Sequence, residues 1–392
     1  MTQDIGRTSE ILEVVARHRR ELLALERDAA SAMVRRYGQT WTRMRGMIER
    51  IITEIAADGG PSPGEDPTMW LLEHEARLRT QQRLQDLQGQ LEAEIRRLHA
   101  YAEASVQRSE SEAIAAALRH TTEAVRTSSG ASVVVGWNRL PSDALRDLIG
   151  ATRTGTPLRT LLEALGTETA ETISSELIVG MALSENPRAV ARRLREAFGD
   201  DLSRALRLSR TETLRAYRTA TNQQYRINDQ LVVGWRWLCA KQARTCAACL
   251  ALDGRWFPNE TIQQDHPNGR CTSVPSLRGL DDPSRPADWQ TGAQWLEQQE
   301  PAVQDRVLGK RAGDAYRAGQ ITLGQLQGEA YSPVWGWSPH RRKLGDVLGG
   351  AGLPPTPTPT PTPGAGPVPK PRRRAAPKAA APGRRVDRPI FR

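Results

Sequence analysis

Arg244-Thr245-Cys246-Ala247-Ala248-Cys249-Leu250-Ala251-Leu252-Asp253-Gly254-Arg255-Trp256-Phe257 is the stretch in which a long helical chain gives way to a small mixed core. Just before it, Val232-Val233-Gly234-Trp235-Arg236-Trp237-Leu238 is rich in β-branched and aromatic residues at a period of two, which predicts a strand. Asp253-Gly254 separates two apolar runs. That pattern predicts a two-residue hairpin of type I′, a turn that needs positive φ at both central positions. Further on come His266 and Cys271, so the full spacing is C-x2-C-x16-H-x4-C. A tetrahedral zinc site takes two ligands from a tight knuckle and two from a returning strand or loop. Cys246, Cys249, His266 and Cys271 are therefore candidate ligands of a structural zinc ion. The same residues also read as small buried thiols with a histidine capping the turn ahead of Pro267. Cys239, at the end of the predicted strand, reads as a core residue.

Upstream, residues 7–57 predict one long amphipathic helix. Leu22, Leu25, Ala29, Met33, Tyr37, Trp41, Met44, Ile48, Ile51 and Ile55 recur at three- and four-residue steps. Asp58-Gly59-Gly60-Pro61-Ser62-Pro63-Gly64 stops it, and a second helical stretch runs from about 67 to 126 with a seam of Leu84, Leu87, Leu91, Ile95, Leu98 and Ala102. Two such helices around a Gly/Pro break predict an antiparallel hairpin or arm. The texture changes at Ser128-Ser129-Gly130 and Val133-Val134-Val135-Gly136. From about 140 to 228 shorter helices are expected, one starting at Pro141-Ser142-Asp143 and another at Asn186-Pro187. Gly199-Asp200-Asp201 should divide the latter from a long helix through 226, with Ser142 and Asp201 as caps. Helices resume near Trp289 and pass Trp295, Val307 and Leu323.

At 392 residues the chain is too long for one compact core. Its formal charge of +10 is unevenly placed, because residues 365–392 hold nine Lys/Arg against one Asp. The body before them is close to neutral, which argues against a body built mainly as a nucleic-acid groove. Four cysteines are too few for a secreted disulfide scaffold. The polar N-terminus has no apolar signal core, and no run reaches the ~20 apolar residues of a membrane helix. The expectation is a soluble protein made in a reducing cytosol, with no membrane partner. From Pro355 to Pro363 a strict Pro-Thr repeat predicts a polyproline II spacer of roughly 28 Å at ~3.1 Å per residue. The Ala/Pro/Gly/Arg tail beyond it should be disordered. Its Lys370, Arg372-Arg373-Arg374, Lys378 and Arg384-Arg385 offer charge to DNA or RNA phosphates without base readout, or simply a solvated end.

Two enzymatic readings attach to the same residues. Cys249 and His266 could be a nucleophile and base, but no orienting third group or oxyanion site is evident. Asp265-His266-Pro267 after a C-x2-C is how an HNH nuclease opens, yet residues 272–300 contain no Asn, His or Cys to complete one. There is no phosphate-binding loop, since Gly349-Gly350-Ala351-Gly352 lies in a terminal linker.

Ser209-Arg210-Thr211-Glu212 on a helix, the strand with Trp235 and Trp237, Arg244-Thr245-Cys246-Ala247-Ala248-Cys249, Leu252-Asp253-Gly254 and His266-Pro267-Asn268-Gly269-Arg270-Cys271 stand in one order. Together they resemble the phage Mu protein F-like minor head proteins, also called the phage head morphogenesis family. Trp295-Leu296, Val307-Leu308-Gly309 and Ala318-Gly319-Gln320-Ile321-Thr322-Leu323 match the way that domain closes. The resemblance covers roughly 150–328. It implies a non-enzymatic virion component, associated with the portal and involved in head assembly. Two departures matter: Gln242 stands where relatives often have an acid, and Gly269 stands where many have a first cysteine of a Cys-Arg-Cys run. Arg210 and Glu212, two apart on a helix, face different neighbours and should bond separately.

The expected architecture is mostly α with a small α+β core. It comprises a long N-terminal helical hairpin or arm (1–128), a head morphogenesis domain (129–345) of short helices plus a β-hairpin module, and a Pro-Thr linker with a basic tail (346–392). Expected partners are the portal, capsid or scaffold proteins, packaged DNA, and other copies through the arm, in the virion and, during assembly, the host cytoplasm. The alternative function is a metal-dependent nuclease acting in DNA packaging.

Overall fold

Apolar residues at helical spacing form the first two elements, α1 (Thr2–Ala57) and α2 (Ala76–Ser129). In this computed structural model they are followed by α3 (Leu158–Ala182), α4 (Pro187–Arg226), β1 (Val232–Leu238), α5 (Ala247–Leu252), β2 (Trp256–Pro258) and β3 (Thr272–Leu277). Then come α6 (Gly292–Glu297), α7 (Pro301–Leu308), α8 (Lys310–Arg317), a 3-10 turn (Gly324–Leu326), β4 (Gln327–Ser332), β5 (Gly336–Arg341) and α9 (Leu344–Leu348). The structure describes residues 2–57, 76–129, 137–141, 145, 149–152, 154–182, 187–279, 281, 287 and 289–349. The expectations for Asp58–Gly64, the start of the second helix, residues 130–136, Ser142, the Pro-Thr spacer and the basic tail lie outside them, as does the Leu84 side chain. The protein is 66% helical with a small sheet, which is the mostly α architecture with an α+β core.

The seam of α1 closes within this chain. Met33, Tyr37, Trp41, Met44 and Ile48 are buried, as are Leu87, Leu91, Ile95, Leu98 and Ala102 of α2. Phe198 of α4 completes the layer, its ring 5.3 Å from Tyr37 and 5.9 Å from Trp41. Each such side chain contributes about 1.5–3 kcal/mol by leaving water, and the apolar seam of α1 packs on α2 and α4 of the same chain.

At the far end of this pair lies a local two-fold motif. Arg17-His18-x-x-Glu21 on α1 and Arg119-His120-x-x-Glu123 on α2 run antiparallel, so each Glu meets the Arg and His of the other helix. His18 and His120 stack with centroids 3.9 Å apart and planes 3° from parallel. His120 Nδ1 also meets the Tyr217 hydroxyl of α4 at 3.0 Å. Burial lowers the pKa of both imidazoles, more than their carboxylate partners raise it.

Two sequence expectations fail here for one reason. Gly199-Asp200-Asp201 does not divide the helix: α4 is continuous over 40 residues, and the expected run of shorter helices is replaced by two long ones. Asp201 is no cap. Its Oδ2 lies 2.9 Å from His99 Nε2 of α2 and accepts from the Tyr37 hydroxyl of α1. Tertiary partners satisfy the carboxylate, which then has no need of a helix end.

The sheet is antiparallel with order β2-β1-β3, and places Trp235 between Phe257 and Pro275. Asp253-Gly254 is not the tip of a hairpin. Leu250-Ala251-Leu252 belong to α5, and Asp253 (φ −60, ψ 127) with Gly254 (φ 83) makes a type II turn closed by Arg255 N to Leu252 O at 3.0 Å. Only Gly254 needs positive φ, so one glycine suffices. The β4–β5 hairpin was not foreseen, because Gly, Pro and Ser interrupt its apolar alternation. Ile11 and Val15 of α1 pack with Leu238 and Val274, seating the sheet on the helical layer.

Candidate functional site

Arg218, on the face of α4 turned to the sheet, organises the loop 265–271. Its guanidinium donates to the carbonyls of Cys271 (2.9 Å) and Gly269 (2.7 Å) and to Asp265 Oδ2 (3.1 Å). Asp265 is the second hub, its side chain wholly buried. It accepts from the backbone amides of His266 (2.9 Å) and Cys271 (3.0 Å) and from the Cys249 thiol (3.5 Å). Burial would raise its carboxyl pKa, but Arg218, His266 and the two amides more than offset this and hold it below the ordinary range. Asn222, one helical turn after Arg218, donates to the carbonyls of Asn259 (3.2 Å) and Thr261 (3.0 Å) and pins the turn that follows β2.

Gly269 has a specific reason to be glycine. A Cβ there would lie 2.1 Å from the Asp265 carboxyl carbon, so the carboxylate occupies the space a side chain at 269 would need. Asn268 before it adopts φ 65, a conformation Asn tolerates, and its amide oxygen accepts from Arg210 Nη1 at 3.0 Å.

Cys246 caps α5. Its φ −70 and ψ 151 end the preceding turn, and its sulfur accepts from the Cys249 amide at 3.4 Å. The Cys249 thiol also donates to it, and with His266 this pulls Cys246 down to about 5 despite burial. His266 is raised to about 9, chiefly by its hydrogen bond to Cys246. The Cys249 pKa goes up, raised first by its contacts with Cys246 and Cys271 and then by burial and the nearby Asp265 charge. Cys271 is lowered by Cys249 and raised by burial and Asp265, with a net rise. The histidine thus pairs with Cys246, not with Cys249, and the nucleophile–base pair weighed from the sequence is not the one the fold assembles.

The structure brings Cys246, Cys249 and His266 together, their ligand atoms within 4.8 Å of one another. Cys271 falls in a second such group, with Cys249 and Asp265. Cys239 is buried outside both, as expected of a core residue, and its amide donates to Asp253. Arg210 and Glu212 do bond separately: Arg210 pairs with Glu26 of α1, and Glu212 with Arg215. Sequence reasoning missed Arg218 as the anchor of the loop. The available signal was two polar residues at i and i+4, Arg218 and Asn222, in a stretch whose neighbours Leu214, Tyr217, Ala220 and Tyr225 are apolar.

Residues 171–274 match the family described as Phage Mu protein F like protein. That segment is similar to a phage Mu F-like domain. The match runs from α3 through α4, the thiol cluster and the loop 265–271 into β3, so it contains every residue of the site. Comparison with curated proteins and with solved structures gave no match. Among the described residues no helix is long and apolar enough to cross a membrane.

Proposed function

We propose that the chain is a minor head protein of a phage, a structural component that docks at the portal during head assembly and stays in the virion. The observation that carries this reading is the Mu F-like match over 171–274, a family whose role is head morphogenesis. The chemistry of the site supports a structural role. Its charged groups point inward to one another, with Arg218 spent on carbonyls and Asp265, and His266 spent on Cys246 and Pro267. The helical layer gives the module a rigid base, and the basic segment 365–392 supplies phosphate-binding charge for packaged DNA.

Mass spectrometry of purified particles should find the chain at a low, fixed ratio to portal, and portal should co-purify with it from assembling cells. Absence from particles together with no portal association would refute the proposal. Removing residues 365–392 should abolish salt-sensitive DNA retention without affecting portal association.

A further inference from the structure

We propose that the domain holds one zinc ion on Cys246, Cys249, His266 and Asp265, with Asp265 and not Cys271 as the fourth ligand. The inference concerns the isolated chain and does not depend on the assembly role.

The tautomer of His266 is the first support. Its Nδ1 lies 2.9 Å from the Pro267 carbonyl oxygen, which can only accept, so Nδ1 carries the proton. Nε2, which here meets Cys246, is then the nitrogen that would give up its proton and bind an ion, and a backbone carbonyl on the other nitrogen is the usual outer support of a metal-binding histidine. Distances supply the second support. In tetrahedral zinc, with Zn–S about 2.3 Å and Zn–N or Zn–O about 2.0–2.1 Å, neighbouring donor atoms sit about 3.3–3.8 Å apart. Asp265 Oδ1 lies 3.5 Å from Cys249 Sγ and 3.7 Å from His266 Nε2, both within that range. Asp265 therefore touches two members of the Cys246–Cys249–His266 group. Asp265 and Cys271 both group with Cys249 and not with Cys246; what sets Asp265 apart is its approach to His266 Nε2 at 3.7 Å.

Two further observations fit this assignment. The Asp265 carboxylate fills the space that a side chain at 269 would need, so the acid stands in the loop where Gly269 leaves room for it. Its two oxygens also divide the work: Oδ2 takes Arg218 and the Cys271 amide, while Oδ1 takes the His266 amide and faces the Cys249 sulfur. For zinc to bind, the Cys249 S–H bond and the His266 Nε2–H bond would break and both protons would pass to solvent. Cys271 keeps its thiol and acts in packing.

The test uses the purified full chain stripped of metal and then titrated with Zn²⁺ or Co²⁺. One ion should bind per chain. The Co²⁺ form should show tetrahedral d–d bands, with thiolate-to-metal charge-transfer intensity corresponding to two thiolates. Cys246→Ser and Cys249→Ser should each abolish that spectrum, and Cys271→Ser should leave stoichiometry and intensity unchanged. Asp265→Asn should weaken binding at least tenfold. No binding by the wild type overturns the proposal, as does three-thiolate intensity or its loss in Cys271→Ser. Unchanged affinity in a folded Asp265→Asn chain does so too. If that variant does not fold, the wild-type and Cys271→Ser spectra still decide.

Discussion

The α1–α2 layer and the thiol module are held together in different ways. In the helical layer a repeating apolar seam runs over many turns, with Met33, Tyr37, Met44, Leu91 and Leu98 each buried among neighbours of the same kind. Losing one contact leaves the rest in register. In the module, loop 265–271 depends on two charged side chains, Arg218 and Asp265, that come from positions 47 residues apart. Many weak equivalent contacts tolerate damage, whereas a few buried polar hubs do not, because an abandoned partner stays desolvated.

That contrast is most sharply tested at Arg218. Arg218→Ala should cost about 3–5 kcal/mol in denaturant unfolding, since it leaves Asp265 charged and unpaired and frees two buried carbonyls. A cost below about 1 kcal/mol would show that the loop does not rest on this residue.

Next in size is a pH effect where α2 meets α4. Glu110 is wholly buried, accepts from the Gly150 amide at 2.9 Å and has Arg215 at 3.6 Å, and burial raises it to about 7. The folded state therefore keeps a proton that the unfolded chain releases near its ordinary value of 4.5. The resulting stability is complete below about 4.5 and is lost as pH rises through about 7, a change of about 3 kcal/mol. Glu110→Gln should flatten this limb of the stability curve.

The Arg-His-x-x-Glu pair has the opposite sign. His18 and His120 have lowered folded pKa values, so their contribution is present above about 6.5 and is lost as pH falls through those lowered values. Glu21 and Glu123 also have lowered pKa values, first through their histidine hydrogen bonds, and lose those partners on further acidification. Unfolding monitored between pH 7 and 4 in a Glu110→Gln background, where the opposing limb is removed, should show this acid limb, and adding His18→Gln with His120→Gln should reduce it. The smallest effect is expected for Arg119→Ala, whose ion pair to Glu21 is largely exposed; the change in stability should stay within about 1 kcal/mol.

The same contrast governs what could be read in advance. The seams of α1 and α2, the start of α4 at Pro187 and the strand 232–238 were legible because periodicity is a local property of the chain. The family resemblance was legible too, because ordered short motifs carry it. Asp201 and Leu250–Gly254 were misread for want of context: the first was claimed by His99 and Tyr37 on other helices, and the second was drawn into a short helix whose cap is Cys246. Asp265 was noticed only as part of a nuclease-like run. Nothing local marks it as the acceptor of Arg218, two amides and a thiol.

By itself, then, the sequence determined the long helices, the strand that starts the mixed core, the clustering of cysteines and histidine, and the resemblance of residues 171–274 to the Mu F-like family. All of these rest on spacing along the chain. Only the tertiary structure decided that the seam of the arm packs on α2 and α4, that His266 pairs with Cys246, and that Asp265 lies within 3.5 Å of Cys249 and 3.7 Å of His266. Those outcomes depend on where α4 holds the loop 265–271, and hydrogen bonds from one arginine to groups about 50 residues away leave no period in the sequence to be read.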